Sequence, residues 1–97
     1  MADKALSGIT ILDFTEGISG PYATKLLADY GATVLKIEKP GVGDISRRMG
    51  PFPEDTPHPE KSGMHLFLNT NKQSLTVNLE TNAGIKIIQE LVKTADV

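Results

Sequence analysis

The chain has 97 residues, 39% hydrophobic and 23% charged, with a formal net charge of −2. This composition fits one small globular domain and argues against a disordered segment. The charge balance gives no electrostatic footing for nucleic acid or an anionic membrane, and the lack of cysteine excludes disulfides, thiolate metal sites and a cysteine nucleophile.

No apolar run is long enough to span a bilayer, and Met1-Ala2-Asp3-Lys4 has no apolar leader behind it. The expected location is therefore the cytoplasm. In chain order, Ile9 to Phe14 is short, mostly apolar and β-branched at its start, which predicts a parallel-sheet strand covered on both faces. Glu16-Gly17-Ile18-Ser19-Gly20-Pro21 then reads as a tight bend into a helix, with Pro21 at the first helical position. Such a bend aims backbone N–H groups at whatever lies beyond the strand end, which suits a phosphate or carboxylate.

Within the helix, Ala23, Leu26, Leu27 and Tyr30 fall on one stripe and are the expected buried face. Gly31 is a natural left-handed stop. Thr33 to Glu38 reads as the second strand and closes a right-handed βαβ unit. From residues 39 to 62 the chain is turn chemistry, an excursion over the strand ends. Met64 to Leu68 is apolar and fits either a helical turn or a strand. Ser74 to Leu79 alternates, with Leu75, Val77 and Leu79 on one face, and predicts a third strand. Thr81 can cap the last helix, whose expected buried stripe is Ile85, Ile88, Leu91 and Val92. Ala95-Asp96-Val97 reads as the start of a fourth strand. The expected class is α/β: a Rossmann-like parallel-sheet segment in the order β-α-β-loop-β-α, an incomplete N-terminal part of a larger domain. Three strands and two long helices leave a sheet edge uncovered, so a fragment or a partner-dependent chain is expected.

Several polar groups have competing readings. Gly17 and Gly20 are spaced G-x-x-G, short of a full dinucleotide fingerprint, although Glu38 stands where a ribose-binding acid would. A tight turn without a ligand remains open beside that NAD reading. Lys39, Arg47 and Arg48 are either solvated surface or partners for a pyrophosphate. Asp44 can hold its own turn. Asp13 is expected to bond backbone at its strand end, and Ser19 has neither a neighbouring base nor a G-x-S-x-G elbow. His58 and His65 lack ligand-spaced companions, so packing or surface roles are expected and no metal site.

Three stretches then join into a pattern. They are Leu6 to Thr15 with Ser19-Gly20-Pro21, Leu27 to Pro40 with Gly43-Asp44, and Asn69-Thr70-Asn71-Lys72-Gln73-Ser74. In this order they resemble the N-terminal end of the family III CoA-transferases, the group of formyl-CoA transferase, carnitine CoA-transferase and α-methylacyl-CoA racemase. The likeness runs from Leu6 onward. It implies a Rossmann-like large domain in a much longer protein, two interlocked subunits forming a homodimer, and coenzyme A or acyl-CoA as substrate with no permanently bound cofactor. The partners it implies are an acyl-CoA and a carboxylic acid.

The resemblance also implies that the nucleophilic aspartate lies beyond Val97, leaving this piece with no catalytic residue. Ile18 and Ser19 match first-turn positions beside the CoA thiol arm. Lys39 matches a basic position that meets the nucleotide phosphates, and Val77, Asn78, Leu79 and Glu80 match residues around the adenosine. Ile18 is apolar where formyl-CoA transferase is polar. Glu80 is acidic, so only its backbone suits a phosphate-bearing ligand. Lys72 belongs to the recognition pattern and can serve the fold rather than the ligand. The expected function is CoA transfer between an acyl-CoA and a carboxylic acid. The alternatives are an acyl-CoA racemase of the same family and a non-catalytic CoA- or nucleotide-binding or assembly module.

Overall fold

A computed structural model describes residues 3–97. Met1 and Ala2, on which the reading of the N-terminal stretch partly falls, lie outside them. Three strands, β1 (Thr10–Asp13), β2 (Thr33–Glu38) and β3 (Gln73–Thr76), form a parallel sheet in the order β1-β2-β3. Helix α1 (Ser19–Asp29) joins β1 to β2, α2 (Gly63–Leu68) precedes β3, and α3 (Asn82–Val92) follows it. Met64 to Leu68 thus resolves as helix, capped by the Ser62 hydroxyl, which accepts from His65 N–H.

Register places Ile11 beside Val34, and Asp13 beside Lys36, on the face that α1 covers. Ile11, Ala28, Ala32 and Val34 form the core cluster there. The C-terminal residues add to the other sheet edge: Val97 N–H donates to Thr10 O and Leu12 N–H donates to Val97 O, the exchange a parallel neighbour makes. That puts the last residue on the far side of β1 from β2, so the order reverses at β1, as at a Rossmann switch point.

Four sequence expectations need correction. Helix α1 begins at Ser19, so Pro21 stands third; a proline is tolerated there because first-turn N–H groups have no intrahelical acceptor. Its expected inner stripe faces outward: Ala23 is exposed, Tyr30 is 59% exposed, and Leu26 and Leu27 stay more than a third exposed. Pro21 and Ala28 are buried instead, because small side chains let the helix axis approach the sheet closely. Strand β3 ends at Thr76 and not at Leu79, and Leu79 is exposed. Val77 N–H still reaches Glu38 O, but β2 ends there and Pro40 has no N–H to offer, so the ladder has no continuation. In α3 the expected stripe is only partly covered: Ile85 and Val92 are exposed, Ile88 and Leu91 half-buried. Handedness carries α3 to the opposite sheet face, where Val92 borders a hollow with Leu12 and Phe14 that nothing else described fills.

Two stops behave as read. Gly31 ends α1 with φ +108, a backbone conformation that L side chains rarely adopt. Thr81 caps α3 by accepting from Gly84 N–H at 3.0 Å. Residues 39–62 hold two short 3₁₀ turns, Ile45–Arg48 and Pro53–Asp55, so the excursion has local structure.

Candidate functional site

The carboxyl ends of the strands carry a concentration of buried charge. Asp13, Lys36 and Glu38, all on the α1-side face, are each less than a tenth exposed. Isolated charges there would cost several kcal/mol each, so each needs a partner. Lys72 Nζ donates to Asp13 Oδ2 (2.9 Å), Pro21 O (3.0 Å) and Asn69 Oδ1 (2.8 Å), which uses all three of its protons. Lys72 therefore serves the fold, tying the chain before β3 to β1 and to the start of α1. Asp13 also accepts from Thr15 N–H and from the Thr15 and Thr24 hydroxyls, which confirms its backbone role at the strand end. Burial pushes the Asp13 carboxyl up, but the bonds from Thr15, Thr24 and Lys72 outweigh it and hold it below its ordinary range.

Glu38 is gripped from two sides. Arg47 donates Nη2 to Oε1 and Nε to Oε2, a bidentate clamp, while Ser74 Oγ donates to Oε1 and Asp44 N–H to Oε2. The Arg47 bonds are the main reason its pKa falls to about 2. A ribose diol has no access to this carboxylate, which is 5% exposed. The NAD reading of Glu38 is thereby overturned. Arg47 is removed from the pyrophosphate reading as well, since it also bonds Pro59 O and pairs with Glu60. Arg48 is exposed and leans on Val42 O at 3.4 Å.

Asp44 does more than hold its own turn. Its Oδ1 accepts from Ser46 N–H and from Gly17 N–H, and its Oδ2 meets the Lys36 ammonium at 2.6 Å. Burial raises its pKa, yet the Lys36, Ser46 and Gly17 bonds bring it to about 2. His65 is buried against the same turn, its Nδ1 at 2.8 Å from Ser46 Oγ, and burial lowers its pKa. His58 is exposed and accepts Glu60 N–H. Both histidines serve packing and turns.

Lys39 stands apart from these locked pairs. It is exposed, makes no ion pair among the described residues, and borders three clefts at the strand ends, one of them shared with Arg47, Pro59 and Glu60. The other two adjoin around the expected ligand residues. The first is lined by Phe14, Glu16, Ile37, Val77 and Leu79. The second, sharing Lys39 and Leu79, adds Asn78 and Glu80. Five of the expected ligand residues, Lys39 and Val77 to Glu80, thus come together. Ile18 and Ser19 sit exposed at the start of α1 and line neither cleft. Gly17 N–H is taken by Asp44, so the bend offers the N–H groups of Ile18, Ser19 and Gly20, which meet no acceptor among the described residues. Phe14 and Ile37 were not named from sequence as lining residues. Their parity with Leu12 and Leu35, opposite the α1 face, is the signal that places them.

Fold and clefts together define part of a Rossmann-like α/β domain, of the kind that takes its ligand beyond the carboxyl ends of parallel strands. The family model described as CoA-transferase family III matches residues 6–97, and the chain belongs to that family. It is 45% identical over 94 residues to a succinyl-CoA:glutarate CoA-transferase of Homo sapiens, covering 97% of this chain and 20% of that protein. It is 48% identical over 94 residues to a formyl-CoA:oxalate CoA-transferase of Rhodopseudomonas palustris, covering 97% and 21%. Among solved structures, a CAIB/BAIF family protein from Brucella suis aligns with TM-score 0.84 at 28% identity, over 98% of this chain and 25% of that one. A hypothetical protein from Mycobacterium tuberculosis aligns with TM-score 0.80 at 36% identity, over 96% and 24%. The chain spans about a fifth of the length of these curated relatives. No helix among the described residues is long and apolar enough to cross a membrane.

Proposed function

We propose that this chain supplies part of the coenzyme A site of an enzyme that moves CoA between an acyl-CoA and a carboxylic acid. One observation carries the reading: Lys36, Arg47 and Lys72 are each committed to a buried carboxylate, whereas Lys39 makes no ion pair among the described residues and borders the strand-end clefts. In this reading Lys39 and the positive end of α1 meet the diphosphate, and Ile18 and Ser19 lie where the thiol arm leaves it. Val77, Asn78, Leu79 and the Glu80 backbone border the adenosine. Ile18 contributes its backbone and no polar side chain. The mixed-anhydride chemistry of an aspartate nucleophile belongs to residues outside this chain, in a longer, homodimeric cytoplasmic protein.

Transfer is favoured over racemisation because both relatives described above carry CoA-transferase names. Oxalate and glutarate, the acids in those names, are the first acceptors to try. Calorimetric titration of CoA into the protein tests the site. Lys39→Ala removes one exposed charge-assisted contact, so affinity falls about tenfold, ~1.4 kcal/mol, while the melting temperature holds. Unchanged CoA affinity in that variant, or binding of NAD in place of CoA, refutes the reading.

A further inference from the structure

We propose that Asp44 is the positioning residue of the Glu16–Gly20 bend, holding Gly17 so that the N–H groups of Ile18, Ser19 and Gly20 stay free for an anion. The proposal rests on the coenzyme A reading for the identity of that anion, and on geometry alone for the hold itself. Asp44 lies in the loop after β2, 27 residues from Gly17 in sequence, yet its Oδ1 accepts Gly17 N–H at 3.1 Å. Its other oxygen pairs with Lys36 at 2.6 Å, and Lys36 in turn donates to Thr15 O at 3.1 Å. One ion pair therefore holds the bend at two points, the Thr15 carbonyl and the Gly17 amide.

The holder is itself held. Asp44 N–H donates to Glu38 Oε2 at 2.8 Å, and Glu38 is clamped by Arg47 and Ser74. The side chains of Lys36 and Asp44 are 2% and 0% exposed, so neither swings out to solvent. Charge explains why a pair is used. A lone carboxylate beside the free N–H groups would repel an anion, whereas the Lys36–Asp44 pair is neutral as a unit and fixes the bend without that repulsion.

This gives a prediction opposite in sign to simple electrostatics. Removing the Asp44 charge leaves an additional net positive charge near the bend, which on charge alone tightens anion binding. A positioning role makes binding weaker. The experiment uses the full chain with Asp44→Ala, Asp44→Asn and Ser46→Ala. It reads CoA affinity by calorimetry, Gly17 amide exchange by NMR without ligand, and melting temperature. Ser46→Ala is the stability control: it loses the His65 contact in the same buried turn but leaves the Gly17 acceptor in place.

Expected for Asp44→Ala are Gly17 exchange at least tenfold faster and CoA binding about tenfold weaker, on the order of one exposed hydrogen-bonded contact. Asp44→Asn, which keeps an acceptor oxygen, falls between that variant and the wild type. Ser46→Ala lowers the melting temperature and changes neither other readout. The proposal is overturned if Asp44→Ala leaves Gly17 exchange unchanged, if either Asp44 variant binds CoA more tightly, or if Ser46→Ala reproduces the losses. Should the alanine variant not fold, the asparagine variant decides by the same signs. Should the wild type take no CoA, that reading falls by itself and Gly17 exchange still decides the role of Asp44.

Discussion

Replacing Lys72 with Met is the sharpest test of the buried charge network. The side chains of Lys72 and Asp13 are 2% and 0% exposed, so the substitution strands a carboxylate in a dry site. Losing one partner of a buried pair costs about 3–5 kcal/mol. Asp13 keeps the Thr15 and Thr24 bonds, which place the loss near the lower end, about 3 kcal/mol. The Pro21 and Asn69 acceptors also lose their donor, which opposes any smaller figure. A domain of this size has only ~5–15 kcal/mol in total, so the urea midpoint drops steeply. The double variant Asp13→Asn/Lys72→Met removes the stranded charge and recovers more than half of the loss. Urea unfolding of the wild type, the Lys72→Met and Asp13→Asn singles and the double variant measures this coupling. A Lys72→Met cost below about 1 kcal/mol, or a double variant no more stable than the sum of its singles, refutes the reasoning.

Acid sensitivity follows from Glu38 and Asp44, whose pKa values stand at about 2 against ordinary values of 4.5 and 3.8. Both are depressed on folding, so their stabilisation is complete above the ordinary values and is lost as pH falls toward 2. Urea midpoints measured from pH 7 to pH 2 should fall across that window. Arg47→Met should lower the midpoint at pH 7 and make the decline shallower, and an unchanged slope counts against the clamp. Gly84→Ala should destabilise although alanine favours helix by about 1 kcal/mol. The added Cβ would fall on the Asn78 carbonyl oxygen, a backbone atom that cannot swing aside. Overpacking of this kind costs about 1–3 kcal/mol, and a raised melting temperature would contradict the close approach.

Local chemistry made much of the fold legible. The run Thr33 to Glu38 became β2 without change, Gly31 and Thr81 stop and start helices as read, and Asp96-Val97 lies along β1 where a fourth strand was expected. Each of these depends on neighbours in sequence or on one backbone preference. Helix faces were harder to read. Helix α1 is apolar over more than one face, so periodicity alone could not tell that Pro21 and Ala28 meet the sheet while Leu26 and Tyr30 do not.

The strand-end charges divide in the same way. Sequence marked Lys39 as a candidate contact because it follows a strand at a turn, and the structure leaves it exposed at a cleft. Glu38 and Arg47 looked equally available in sequence, yet each is consumed by the other. Nor does any local pattern show that Asp44 reaches back to Gly17, or that Lys72 reaches Asp13. Those partners are 27 and 59 residues apart. Only closure of the parallel sheet brings them within hydrogen-bond range, and only burial forces every charge among them to choose a partner. The sequence by itself therefore determined most of the elements and the family, while tertiary packing decided which strand-end cations are locked into the fold and left Lys39 exposed beside a cleft.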